Sequence, residues 1–162
     1  MNTFRRRGEH CAAVERRSRM VRTLAAHSVD VARVRREFSH WLQQHYCVDH
    51  AQRSDLVLAV NEALINAAEH GRPDRGAGIV VFAAVYDQGA QTLTVTVNNH
   101  GRWRLTEAET CTAAGQVALR GRGVALMRSL SDGLWISSSD AGTEVSLVWT
   151  DVPSRHPALV LL

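Results

Sequence analysis

Two segments in the first half of the chain carry apolar residues at helical spacing. Between residues 28 and 46 the apolar positions recur every three or four residues and most arginines lie off that stripe, which predicts a helix with one buried face. Between residues 52 and 70 the interior is apolar nearly all round, so we expect a second helix that is buried between other layers. Gly71 and Pro73 follow it, as is typical of a helix end.

After residue 78 the pattern changes from helical to alternating. Residues 79–86 are rich in β-branched and aromatic side chains, and residues 92–97 alternate between aliphatic side chains and threonine, which predicts two strands. A short helix and a final hairpin are predicted at 123–132, 134–138 and 144–149. This order of elements predicts an α+β fold, a two-layer sandwich in which helices cover one face of a mixed, mostly antiparallel sheet.

These elements form one expected domain, residues 28–150. Residues 1–27 are expected to be a tail that is flexible or partly an edge strand at 21–26, and residues 151–162 a C-terminal tail. Residues 98–122 form a long polar connection. A connection of that length in a small domain is usually functional, and we predict a lid.

Charge and hydropathy narrow the class of partner. The formal net charge is +3, and ten arginines lie between residues 5 and 36. No aromatic stacking platform accompanies them, so a solvated helix face or an acidic protein partner is favoured over direct binding of nucleic acid. No apolar run approaches the roughly 20 residues that span a bilayer, and no export signal is recognisable, so we expect a cytoplasmic protein that does not bind membranes.

The basic residues also exclude two nucleotide-binding architectures. All nineteen are arginine and none is lysine. A P-loop needs a lysine at the phosphates, and a eukaryotic-type protein kinase needs a lysine on a strand. A nucleotide site in this chain therefore has to use another architecture.

Two polar residues interrupt the apolar second helix. Glu62 and Asn66 are four residues apart, which places both side chains on one helix face, one turn apart. A buried carboxylate without a partner costs several kcal/mol, so Glu62 should face a cavity, an ion or a ligand. From these two residues alone, a structural role in which Glu62 pairs with an arginine is equally possible.

Glycines and arginines stand directly before the third predicted helix. The run is Arg120, Gly121, Arg122, Gly123 and Val124. Glycines beside a helix N-terminus leave backbone N–H groups free for phosphate oxygens, and an arginine adds a charge that forks onto phosphate. Alone, such a run is weak evidence, because a plain glycine turn before a helix looks the same.

In this order, the motifs resemble those of the GHKL (histidine-kinase-like) ATPases, also called the Bergerat fold, and most closely the anti-sigma-factor serine/threonine kinases. Glu62 and Asn66 match the N-box, and the family's Asn-Ala-x-x-His continues to His70. Residues 99–103 match a first glycine box and residues 121–127 a second one. Gly142 and Thr143 match a final Gly-Thr pair in the last hairpin.

The resemblance implies ATP and Mg²⁺ as cofactors and a role for each motif residue. Glu62 would be the general base, and Asn66 would hold Mg²⁺ through its side-chain oxygen. Thr143 would reach the adenine through a water. The other nucleotide-binding positions would be His70, Asn99, Gly101, Arg120, Gly121, Arg122, Gly123 and Val124. It further implies that the protein phosphorylates an anti-anti-sigma protein of the STAS type and sequesters a sigma factor. The arginine-rich first helix predicts action through protein contacts, as a homodimer or with a sigma factor.

Asn99 departs from the family pattern. The family has an aspartate there, whose carboxylate accepts a hydrogen bond from the adenine amino group. A neutral acceptor is expected to lower the affinity for ATP by about tenfold and to relax the preference of the site for ATP over GTP. The Asn99→Asp variant is expected to reverse both effects. The alternative function is a degenerate module that binds a sigma factor or another regulator without efficient phosphoryl transfer.

Overall fold

The computed structural model describes residues 17–70, 78–100, 122–139 and 141–155. Within these ranges it contains three helices and five strands. In chain order they are β1 (Arg17–Ala25), α1 (Ser28–His45), α2 (His50–His70), β2 (Ile79–Asp87), β3 (Thr92–Asn99), α3 (Arg122–Ser129), β4 (Gly133–Ser139) and β5 (Gly142–Trp149).

The strands form one sheet in the order β1-β2-β3-β5-β4. Every neighbouring pair among the described residues is antiparallel, where the sequence predicted a mixed, mostly antiparallel sheet. The buried residues of each central strand lie on one face and pack against the helices, and the other face has no described layer over it. The predicted two-layer α+β sandwich is confirmed.

The strand register places two polar residues next to each other at one end of the inner face. Phe82, Val97 and Val145 are opposite one another on β2, β3 and β5, and all three are buried. Since side chains alternate along a strand, the inner row two residues further on contains Asn99 and Thr143, which are also register partners. The apolar face of the sheet therefore ends in a buried polar pair.

Helix α2 lies between other layers, as its sequence predicts. It contacts α1 on one side and α3 on another, and it packs against β2, β3 and β5. Its small and aliphatic residues are buried in the core: Leu56, Ala59, Val60, Ala63, Leu64, Ala67 and Ala68. The alanines allow close approach of the neighbouring elements, so the position of α2 is set by direct backbone packing on the sheet.

Two boundaries differ from the sequence prediction for local reasons. The sequence predicted an edge strand at 21–26, whereas β1 starts at Arg17 and pairs with β2 along its whole length. Helix α3 ends at Ser129, three residues earlier than predicted, because the backbone N–H of Asp132 donates to the carbonyl of Val148 on β5 (2.9 Å). With that bond the chain begins to pair with β5, so the helix cannot continue to residue 132.

The chain stays against the domain after β5. Val152 is fully buried, and its carbonyl accepts from the hydroxyl of Tyr86 at 2.6 Å. The N–H of Cys47 donates to the carbonyl of Pro153 at 2.7 Å, which joins this segment to the end of α1. None of the described helices has an apolar stretch that could cross a bilayer.

Tyr46 should make the fold sensitive to alkaline pH. Burial raises the pKa of its hydroxyl from an ordinary value near 10 to about 12. A folded-state pKa above the unfolded value means that the stabilisation is complete below pH 10 and is lost as the pH rises through 12. The full shift corresponds to about 2.7 kcal/mol.

The Tyr46→Phe variant has no hydroxyl to titrate at this position. Its free energy of unfolding should fall by about 1 kcal/mol less than that of the wild type between about pH 9 and pH 11. Urea denaturation at a series of pH values measures this difference. Parallel curves for the two proteins would contradict the assignment of the alkaline loss to Tyr46.

Candidate functional site

The first part of the site is the N-box cluster, which consists of Glu62, Asn66 and Gly123. Glu62 and Asn66 are half-buried on the flank of α2 that faces α3. A Cβ atom built on Gly123 would lie 3.0 Å from Glu62 Oε2 and 3.3 Å from Asn66 Nδ2. The second residue of α3 therefore approaches both side chains so closely that a larger residue would have to displace them.

This arrangement fits an oxygen-rich ligand such as a metal-bound phosphate. Gly123 leaves open the space that a Cβ would fill, directly beside a carboxylate and a carboxamide. Carboxylate and amide oxygens are ligands that Mg²⁺ accepts, and the N-terminus of α3 presents backbone N–H groups to an anion. Among the described residues no arginine pairs with Glu62. The structural interpretation of Glu62 as half of an ion pair therefore has no support there.

The second part is the Asn99 cluster, which consists of Ala67, Asn99, Gly142 and Thr143. Asn99 is only 6% exposed and Thr143 only 3%. The Nδ2 of Asn99 donates to the backbone carbonyl of Ala67 at 3.0 Å, and its Oδ1 accepts from the N–H of Thr143 at 3.3 Å. The two clusters adjoin, because Ala67 follows Asn66 directly on α2.

Gly142 permits the close packing of this second cluster. Its φ angle is +139°, a conformation that favours glycine. A Cβ at this position would lie 2.0 Å from the backbone oxygen of Asn99. Any other residue would therefore push β5 away from the end of β3, which explains why a glycine precedes Thr143.

The remaining predicted site residues lie around these clusters or outside the described ranges. His70 is the last residue of α2 and is exposed, and Arg122 is the exposed first residue of α3. Val124 is buried and belongs to the hydrophobic core. Gly101, Arg120 and Gly121 lie outside the described residues, as does nearly all of the predicted lid.

Two contacts of the Asn99 cluster were not predicted from the sequence. The hydroxyl of Ser138 is 3.0 Å from that of Thr143, and Ser138 lies in a run of three serines in which nothing distinguishes it. Ala67 takes part through its backbone carbonyl, for which the side-chain sequence carries no signal. Only the alternation of β3 and β5, which places Asn99 and Thr143 on the inner face, could have indicated that the two meet.

Two cavities occur near α2 and the strand ends. One of about 420 Å³ reaches Asn99 and Thr143 at the end of the sheet and has polar walls that include His100, Ser139 and Glu144. The other, of about 330 Å³, lies between α1 and α2 and contains none of the predicted site residues.

Comparisons with known proteins agree with this geometry. The family model of the histidine kinase-like ATPase domain matches residues 24–149. Among solved structures, the chain is similar to the RsbU and RsbW domains of Rv1364c from Mycobacterium tuberculosis, with a TM-score of 0.63 and 25% identity. That match covers 86% of this chain and 33% of the other, so this chain spans about a third of the Rv1364c structure.

A second match is the histidine kinase domain of the blue-light activated histidine kinase EL346 from Erythrobacter litoralis. It has a TM-score of 0.49 and 22% identity, and covers 77% of this chain and 59% of the other. The family model covers most of the chain, including the whole of α2 and the strands that contain Asn99 and Thr143. On this evidence the chain belongs to the family of histidine kinase-like ATPase domains.

Proposed function

We propose that this chain is an ATP-dependent serine/threonine protein kinase of the anti-sigma-factor type. It phosphorylates an anti-anti-sigma protein of the STAS type and sequesters a sigma factor. The observation that carries the proposal is the N-box cluster, in which Glu62 and Asn66 lie beside Gly123 at the start of α3. Membership of the family implies ATP binding, and the similarity to a structure that contains an RsbW domain supports an anti-sigma type of kinase.

Each residue of the N-box cluster has a separate chemical task. Asn66 Oδ1 would hold Mg²⁺, which when bound neutralises charge on the phosphate oxygens. The N–H groups at the start of α3 and the guanidinium of Arg122 would orient the phosphates. Glu62 would take the proton from the attacking serine hydroxyl as the new oxygen bond to the γ-phosphorus forms and the bond from that phosphorus to the leaving oxygen of ADP breaks.

The second candidate function is a regulator that binds its partner without efficient phosphoryl transfer. Asn99 favours it, because this residue bonds to Ala67 and Thr143 and offers the adenine no carboxylate. The two candidates share the fold and the N-box cluster. They differ in whether phosphate is transferred from the bound nucleotide to a protein. An assay of phosphoryl transfer distinguishes them.

The arginine-rich region supports an acidic protein partner for either candidate. Arg22 on β1 pairs with Glu37 on α1, and Arg33 pairs with both Glu37 and Asp30, so these two charges are partly neutralised within the chain. Arg19 and Arg36 are exposed on the same two elements. A sigma factor with acidic surface residues would complement them in the cytoplasm. The proposal includes no direct contact with nucleic acid or membrane.

The open face of the sheet supports a homodimer. One row across the strands runs from Val21 through three small residues to Trp135, which is 60% exposed. The three are Ala83, Thr96 and Ser146. Tryptophan is enriched among the residues that contribute most to interfaces, and Trp135 is exposed on this face.

The Glu62→Gln variant tests the assignment of the general base. Glutamine has nearly the same shape, so the fold and nucleotide binding should persist, while phosphoryl transfer falls by about 10²- to 10⁴-fold. Transfer of labelled phosphate from ATP to a panel of purified STAS proteins measures this. Glu69→Gln is the matched control, because Glu69 is exposed two turns further along the same helix. Undiminished transfer by Glu62→Gln would show that this carboxylate is not the base.

The Gly123→Ala variant tests whether the space beside Glu62 and Asn66 belongs to the ligand. The added methyl group would fill that space at 3.0 Å from Glu62 Oε2, so Mg²⁺-ATP should bind at least about tenfold more weakly. Thermal stability should change little, because the helix preference of alanine opposes the cost of displacing the side chains of Glu62 and Asn66 by a few tenths of an ångström. Calorimetric titration gives the affinity.

Gly89→Ala is the control for this variant, since a Cβ there makes only an ordinary contact of 3.4 Å with Asp87. Equal ATP affinity in wild type and Gly123→Ala would place the phosphates elsewhere.

A further inference from the structure

Two backbone groups among the described residues determine the orientation of the Asn99 carboxamide. The carbonyl of Ala67 can only accept a hydrogen bond, so it requires the amide nitrogen at 3.0 Å. The N–H of Thr143 can only donate, so it requires the amide oxygen at 3.3 Å. One asparagine satisfies both needs, and an ionised aspartate, which only accepts, satisfies one of them.

The bond to Ala67 also stabilises the end of the N-box helix. Helix α2 ends at His70, so the carbonyl of Ala67 is one of the last four, which a helix leaves without regular partners. The side chain of Asn99 supplies a donor to it from β3. A carboxylate at this position would oppose the carbonyl and would lie at the negative end of the helix dipole.

Turning the carboxamide toward a ligand would break its hydrogen bonds to Ala67 and Thr143. Gly142 lies against the backbone oxygen of Asn99 so tightly that a Cβ would be 2.0 Å away. The backbone N–H of Thr143, the next residue, donates to the amide oxygen of Asn99. Swinging the side chain of Asn99 away would therefore break its bonds to α2 and to β5.

We infer that Asn99 is committed to joining α2, β3 and β5, and that the site selects its nucleotide by the phosphates and not by the 6-amino group of the base. The inference rests on the proposed function. A neutral amide oxygen that already accepts from Thr143 contributes little further discrimination. The ligand class is therefore nucleoside 5′-triphosphates in general, with ATP as one member.

The sequence predicted that Asn99→Asp tightens ATP binding. On the geometry of the structure, we expect that it does not. The prediction from the sequence placed the side chain of residue 99 at the ligand. In the structure both ends of the carboxamide contact the backbone of the protein. Asn99→Asp should lower the stability of the fold without increasing the affinity for ATP.

The first experiment measures base selectivity of the wild-type protein. ATP, GTP and purine riboside triphosphate, which lacks the 6-amino group, are titrated calorimetrically with Mg²⁺ present. The inference predicts dissociation constants within about threefold of one another. ATP binding that is tenfold or more tighter than the purine riboside analogue overturns the inference and leaves the proposed function standing. Failure of all three to bind overturns the proposed function and this inference with it.

The second experiment compares Asn99→Asp with Asn98→Asp, the same chemical change at the neighbouring residue, which lies on the other face of β3. Asn99→Asp should lower Tm by about 3–9 °C at neutral pH without tightening ATP, and Asn98→Asp should leave Tm nearly unchanged. An unchanged Tm, or ATP binding tightened tenfold by Asn99→Asp, overturns the inference. If Asn99→Asp does not fold, the first experiment decides.

A pH series separates a lost donor from a simple loss of packing. A protonated carboxyl group can donate to Ala67, so the deficit in Tm of Asn99→Asp should shrink as the pH falls toward about 4. The nearby titratable groups, His70, His100 and Glu144, are the same in both proteins and cancel in the difference. A deficit that does not change with pH contradicts the hydrogen-bonding role.

Discussion

The hydrogen bonds from the Asn99 side chain to Ala67 and Thr143 hold the candidate site in its geometry. They join the C-terminal turn of α2 to the ends of β3 and β5, and Ala67, which receives one of them, directly follows Asn66. Fixing Ala67 against the sheet therefore fixes the direction in which Glu62 and Asn66 project toward α3. The absence of a side chain at Gly123 and at Gly142 allows the neighbouring elements to approach, so the polar site depends on close backbone packing on both sides.

This geometry explains why the two proposed functions are difficult to separate by fold alone. The N-box cluster contains the groups that we propose for phosphoryl transfer. In the Asn99 cluster, the residue at the position expected to bind adenine instead bonds to the backbone of the protein. A kinase with relaxed base selectivity satisfies both observations. A regulator that binds nucleotide without turnover differs from it only in the rate of the chemical step.

The sequence predicted the elements that depend on local periodicity and the residues that depend on motif spacing. The four-residue interval placed Glu62 and Asn66 on one flank of a buried helix, and alternation along β3 predicted a strand with one apolar face. The role of Asn99 could not be predicted, because it depends on a backbone carbonyl of α2 and a backbone N–H of β5. Both partners are more than 30 residues away in the chain and have no side-chain pattern of their own.

In the proposed site a Mg²⁺-nucleotide binds between α2 and the start of α3 while Asn99 keeps its bonds to the protein. Side-chain and backbone amide signals in ¹H–¹⁵N NMR spectra report both points in one titration with Mg²⁺ and a non-hydrolysable ATP analogue. We expect the signals of the Asn66 side chain and of Gly123 to shift. The Asn99 side-chain signal should stay protected from exchange, with nearly unchanged chemical shifts. A large shift of Asn99 with little change at Asn66 and Gly123 would contradict the proposed site.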